Sequence, residues 1–268
     1  MTDESPPDGG PLPAAAVEAA CLTGITDIPA VLQRMRMIQA ALAEEPAGED
    51  LESLRELHGM KDGLACFNHL YRVITAQILT ELAAGEFFHD PTFLQELDVQ
   101  FARRYFTAIA TYGAGHCSSR AWAVLIDRRC DPAITPMQFA VAGVNTHVNF
   151  DLPFAVVATC QKLGHSLHTD QQKHDYDRVN EVFFTKIPAL RRHFEDRWDR
   201  RLDRRIVRQI NNHVDDMVVV LDRGLAWLQA EQLWRIRDSA AYPRAEHTHD
   251  ASVALLNHAL LAPRAPWI

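Results

Sequence analysis

The stretch TPMQFAVAGVNTHVNFDLPFAVVATCQKL, residues 135–163, decides the fold. Thr135 and Pro136 form a helix start, a capping hydroxyl followed by a proline suited to the first turn. Gly164 marks the stop. The flanks (Phe139, Val141, Phe154, Val156, Val157) are apolar, while the centre, GVNTHVNFDLP from Gly143 to Pro153, is polar. His147 and Asp151 are four apart, so they share a face and can touch. Asn145 and Asn149 have the same spacing and lie nearly opposite. A helix that is apolar at both ends and polar on two sides of its middle suits the centre of a bundle. Pro153 cannot donate to the carbonyl of Asn149, which predicts a kink that frees carbonyls beside the His147–Asp151 pair.

Helical patterns extend outward from this centre. Asp27 caps a helix running to about Glu44, with Pro29 in its first turn, and Pro46–Asp50 reads as a loop. Further helices are expected at 61–84, 91–112, 118–129, 171–195 and 202–237. Asp90-Pro91 and Ser118-Ser119 serve as starts; Gly113, Gly115 and Cys130-Asp131-Pro132 serve as stops. No alternating β-type run is found, so the expectation is an all-α, single-domain helical bundle around a polar-centred core helix. The expected organisation is a disordered, Pro- and Gly-rich leader over 1–20, a helical domain over 27–237, and a C-terminal extension over 239–268 with one short amphipathic helix, Ala251–Leu261.

Composition narrows the function classes. The 268 residues are 47% hydrophobic and 23% charged, with a formal net charge of -8. No basic tail or Lys-rich run is present. The arginines of 191–208 alternate with Asp and Glu, as on a solvated helix face. Nucleic acid is therefore not an expected partner. The five cysteines form no C-x-x-C pair, so neither a disulfide framework nor a cysteine zinc site is expected. The first residues carry no basic n-region or apolar h-region, and no apolar run approaches the roughly 20 residues that span a bilayer. A cytoplasmic protein without a membrane partner is the expectation.

Several helices point polar groups inward. On 61–84, Asn68, Tyr71, Arg72 and Thr75 lie on or beside the stripe Leu64, Phe67, Ile74, Ile78, Leu82. On 91–112, Arg104 and Tyr105 fall on the stripe and Asp98 borders it; on 171–195, Tyr176 and Asn180 do the same. A buried hydroxyl or amide left unmatched costs about 1–3 kcal/mol, and an unpaired charge more. Repetition of such groups points to a pocket. A carboxylate beside an imidazole orients it and raises its basicity, which makes the His147–Asp151 pair a general acid or base. The same spacing supplies two metal ligands, with His69, His165, His168, His174, Asp177, Glu181, His213 and Asp215 as sources of a third, but none of these has diagnostic spacing. There is no G-x-S-x-G elbow, P-loop or dinucleotide fingerprint.

LDVQFARRYF (Leu97–Phe106), the Trp122 helix, GVNTHVNFDLP and DYDRVNEVF (Asp175–Phe183) together resemble the uncharacterised bacterial family catalogued as domain of unknown function 5995. The similarity runs from about Ile38 to Trp227. The family's N-x-H-x-N-x-D-L motif is matched by Asn145, His147, Asn149, Asp151 and Leu152. Its Arg-Tyr pair is matched by Arg104 and Tyr105, and its later Asn by Asn180. The resemblance implies that the inward polar set is a family feature. Some members look like accessory proteins of specialised-metabolite pathways.

The leading expectation is an enzyme of small-molecule biosynthesis without cofactor or metal, performing cyclisation, elimination or isomerisation. His147 and Asp151 are its catalytic pair, with Tyr71, Arg72, Arg104, Tyr105, Asn145, Asn149, Asn180, Asn68 and Asp98 holding the substrate. The alternatives are a metal-dependent hydrolase or oxidase with His147 and Asp151 as ligands, and a non-catalytic ligand-binding helical protein. The amphipathic tail segment offers a surface for a homodimer.

Overall fold

The computed structural model describes residues 9–43, 48, 50–85, 88–116, 119–167, 172–179 and 223–262. The described residues form helices α1 (Ala14–Ala19), α2 (Ile28–Leu42), α3 (Gly63–Ala84), α4 (Pro91–Gly113), α5 (Arg120–Asp127), α6 (Pro136–Thr146), α7 (Leu152–Leu163), α8 (172–179), α9 (Arg223–Ile236) and α10 (Ala241–Leu260). A 3-10 helix, Leu51–Gly59, occupies ground just beyond the expected loop, and Asp50 caps it by accepting from the Ser53 amide. No strand occurs among the described residues, and the fold is all-α. None of the described helices is long and apolar enough to cross a membrane.

The expected helix 135–163 is present as three segments. Thr135 caps α6 in a full capping box with Gln138. Residues His147–Asp151 then widen into one π turn, with the Leu152 amide reaching back to the His147 carbonyl, and α7 follows. Pro153, at the start of α7, has no N–H for the Asn149 carbonyl. The helix absorbs this missing donor by widening, a device common at functional sites. Residues 138–157 are buried throughout except Asn149, which places this rod at the centre.

Periodicity did not indicate a second helix buried all round. Residues 62–73 of α3 and its cap are all buried, where the pattern pointed to a stripe. Two glycines allow α3 to press on α6. A Cβ on Gly63 would sit 2.3 Å from the Phe139 ring, and one on Gly143 would sit 2.4 Å from the Phe67 ring. Around this pair, α2 packs on α3, α4 and α9 pack on α7, and α10 packs on α5 and α6.

Both expected ends need correction. Leu12, Ala16, Ala19 and Ala20 of the supposed leader are buried, and α1 packs on α2. The Gly9 amide donates to the Asp127 carbonyl at 2.7 Å, and Arg129 donates to the Pro11 carbonyl at 2.9 Å. Alanine buries little area per residue, so a composition scan undervalues a short alanine helix that fits closely. The supposed short tail helix is the long α10. The helix takes in the polar stretch before Ala251 as well, and Pro243 stands in its first turn, where no amide is required. Most of the expected helix 171–195, and 202–222 of the expected 202–237, lie outside the described residues.

A buried histidine makes the stability of this body pH-dependent. The His69 imidazole is fully buried, with Nε2 2.9 Å from the Ser53 carbonyl and Nδ1 3.4 Å from Arg72. Burial, with Arg72 adding to it, holds the pKa below the usual histidine value despite the Ser53 carbonyl. The unfolded chain therefore binds a proton that the folded chain resists. Stability is complete above about pH 6.5 and falls as pH drops through that value toward the lower folded one. Urea melts at pH 7 and pH 5 should show this loss, and His69→Gln should shrink it. An equal loss in the variant would exclude His69 as a source.

Candidate functional site

At the π turn, three elements meet at one carboxylate. Asp151 is fully buried and accepts three hydrogen bonds: from His147 Nδ1 at 3.0 Å and Trp122 Nε1 at 3.0 Å, both to Oδ2, and from Arg104 Nε at 3.2 Å to Oδ1. Arg104 reaches on to Glu246 of α10 at 2.8 Å, and its guanidinium lies 4.9 and 4.8 Å from the ring centres of Phe150 and Phe154. Burial works against the charge of Arg104, but Asp151 and Glu246 outweigh it and hold its pKa above the usual value.

The His147 ring is held as firmly as its partner. Phe101 stacks on it at 3.4 Å between centroids, only 10° from parallel. Tyr71 at 4.3 Å and Phe67 at 5.5 Å meet it edge-on. With Nδ1 directed at Asp151, the neutral ring carries its proton there and offers Nε2 as the basic nitrogen. His147 also lines a cavity of about 50 Å³ with Tyr71, Asp98, and apolar groups that include Leu97, Val148 and Val179. The Tyr71 hydroxyl oxygen and Asp98 Oδ2 are buried there.

The remaining expected residues go elsewhere. Asn68 donates to the Met35 carbonyl at 3.0 Å and to Gln39 at 2.7 Å, and accepts from the Tyr105 hydroxyl at 3.3 Å, joining α2, α3 and α4. Burial raises the Tyr105 phenol well above its usual pKa, so it stays protonated as that donor. Arg72 turns toward His69 and the Gly48 carbonyl. Asn149 donates to Asn145, and Asn145 to Asn257 of α10, each at 2.8 Å; Asn257 donates to Thr146 at 2.6 Å and to the Ala121 carbonyl at 2.9 Å. The polar face opposite His147 thus docks a helix rather than lining the cavity. Asn180 lies outside the described residues.

Sequence reading did not assign Trp122 or Glu246 to the site. Trp122 belongs to an apolar stripe, where only a partner reveals the use of its indole N–H. Glu246 belongs to the stretch taken as a tail. Burial raises the thiols of Cys66 and Cys160, the latter to about 12, so neither is poised as a nucleophile.

No curated protein and no solved structure matches the sequence. The family of unknown function DUF5995 matches residues 28–263, which take in the His147–Asp151 pair, Arg104, Trp122 and Glu246 alike. By that match over most of its length, the chain belongs to the family of unknown function DUF5995.

Proposed function

We propose that the chain is an enzyme of small-molecule chemistry in which His147 moves a proton and Asp151 holds it ready to do so. The observation that carries this is the position of His147: Nδ1 is committed to Asp151 while the same ring lines a cavity with Tyr71 and Asp98. In the forward step, Nε2 takes a proton from a carbon or hydroxyl of the substrate. The Asp151 carboxylate stabilises the resulting imidazolium, and the proton returns at another atom, as isomerisation, elimination or cyclisation requires. Arg104 and Trp122 act as positioning residues that fix the carboxylate.

The cavity is small and lined almost wholly by apolar side chains, so it takes the reacting end of a small and largely apolar compound. Tyr71 and Asp98 supply its polar contacts. The surroundings of Asp151 favour this reading over metal ligation. Both carboxylate oxygens already accept hydrogen bonds, and the Arg104 cation stands at 3.2 Å, where it opposes a second cation. A role in specialised-metabolite biosynthesis remains part of the proposal through the family resemblance alone.

Deuterium wash-in reads the proton-transfer step alone and so tests the proposal whatever the complete reaction is. The protein is incubated in D2O with a panel of small carbonyl and enol compounds, and exchange is read by mass spectrometry. The expected result is exchange into at least one compound, reduced about 10²–10⁴-fold in His147→Gln, with helicity retained. Undiminished exchange in that variant, or no exchange across the panel, counts against the proposal and favours a non-catalytic core network.

A further inference from the structure

A second polar cluster lies apart from His147, where α8 meets the loop ahead of α4. Its anchor is Asp175, whose side chain is fully buried. Asp175 Oδ1 accepts the His89 amide at 2.9 Å, and Oδ2 accepts the Asp90 amide at 2.5 Å. Two imidazoles converge on the same Oδ1: His89 Nδ1 at 3.2 Å and His174 Nδ1 at 3.6 Å, with ring centroids 4.6 Å apart. About half of each imidazole side chain faces solvent.

We infer that His89, His174 and Asp175 form a binding site for a divalent transition-metal ion of the zinc type. The spacing supports this. A tetrahedral ion with bonds of about 2.0–2.1 Å sets its ligand atoms roughly 3.3–3.4 Å apart. The two nitrogen-to-oxygen separations bracket that edge. One atom from each residue lies within 4.8 Å of the others, so only the two half-exposed rings must draw together. The buried carboxylate, held by two backbone amides, needs no rearrangement. Oδ1 keeps a second lone pair for the ion beside its bond to the His89 amide.

The ligand types support it as well. Two imidazoles and one carboxylate suit zinc and its first-row neighbours, whereas magnesium and calcium favour oxygen ligands throughout. The solvent-facing side leaves a fourth position for water. A bound ion would tie α8 to the loop before α4. Val179, one helical turn beyond Asp175, lines the cavity described above. The metal site does not depend on catalysis at His147.

The test is metal binding by the full, tag-free chain, measured with Zn2+ by calorimetry and with Co2+ by visible absorption. The expected result is one equivalent bound, with the intense visible bands of four-coordinate cobalt. His89→Ala and His174→Ala should each weaken binding at least about tenfold, since even outer-shell partners of a metal contribute about 10–100-fold. Both side chains are half exposed, so the variants should keep the parent's helicity; His89→Gln and His174→Gln serve as conservative checks. No saturable binding, or binding unchanged in all four variants, overturns the site. Binding lost in His147→Gln but retained in these variants would place the ion at His147 and overturn it equally.

Discussion

Replacing Asp151 by Ala should lower the unfolding free energy by about 3–5 kcal/mol, the usual cost of removing one partner from a buried ion pair. The variant would leave the Arg104 guanidinium, the Trp122 indole N–H and His147 Nδ1 facing an apolar methyl group. For a chain of this size the melting temperature should fall by about 6–20 °C. Asp151→Asn should fall between, because it keeps one acceptor oxygen but turns an amide N–H₂ toward a donor. Pairing Asp151→Leu with Arg104→Met should recover part of the loss, since no buried charge is then left unmatched. A melting temperature for Asp151→Ala within about 1 °C of the parent would remove the carboxylate from its place at the centre of the network.

Ending the chain after Ala240 should abolish cooperative unfolding. Helix α10 is joined to the rest through a set of buried and half-buried polar groups. Asp250 accepts from the Ser119 hydroxyl at 2.8 Å and from the Arg120 and Ala121 amides at 2.8 and 3.0 Å, so it closes the start of α5. Asn257 serves Asn145, Thr146 and the Ala121 carbonyl; Glu246 balances Arg104. Each of these hydrogen bonds contributes a net of about 0.5–1.5 kcal/mol, and those to the Asp250 and Glu246 carboxylates about 1.5–3 kcal/mol. Several together reach the total stability of an ordinary domain, about 5–15 kcal/mol. Circular dichroism should show residual helix without a sharp thermal transition. A truncated chain that melts as sharply as the parent would mean that α10 only covers a finished core.

The legible parts of this protein were local. Asp27, Asp90, Ser119 and Thr135 each accept from an amide in the first turn they were expected to cap. The His147–Asp151 contact was legible for the same reason, because four-residue spacing on a helix sets proximity regardless of what surrounds it. The errors have a different source. Asn145 and Asn149 do lie opposite His147, yet periodicity indicates a face and not its occupant. Their occupant is Asn257, 112 residues beyond Asn145. Arg72 lies beside an inward stripe, which pointed it toward a pocket, but α3 is buried on every side at that level, and Arg72 serves another neighbour.

By itself the sequence determined the helical class, most helix starts and stops, the central place of the 135–163 segment, and the His147–Asp151 contact within it. Those follow from 3.6-residue periodicity, capping chemistry and proline geometry, all set within a few residues. Only the tertiary structure decided that Trp122 and Arg104 share Asp151, that Glu246 completes the chain of charge, that the opposite face docks α10, and that His89 and His174 meet over Asp175. Each of these joins residues far apart in sequence. The packing of helices brings them together, and a side chain's partner depends on that packing rather than on its own neighbours.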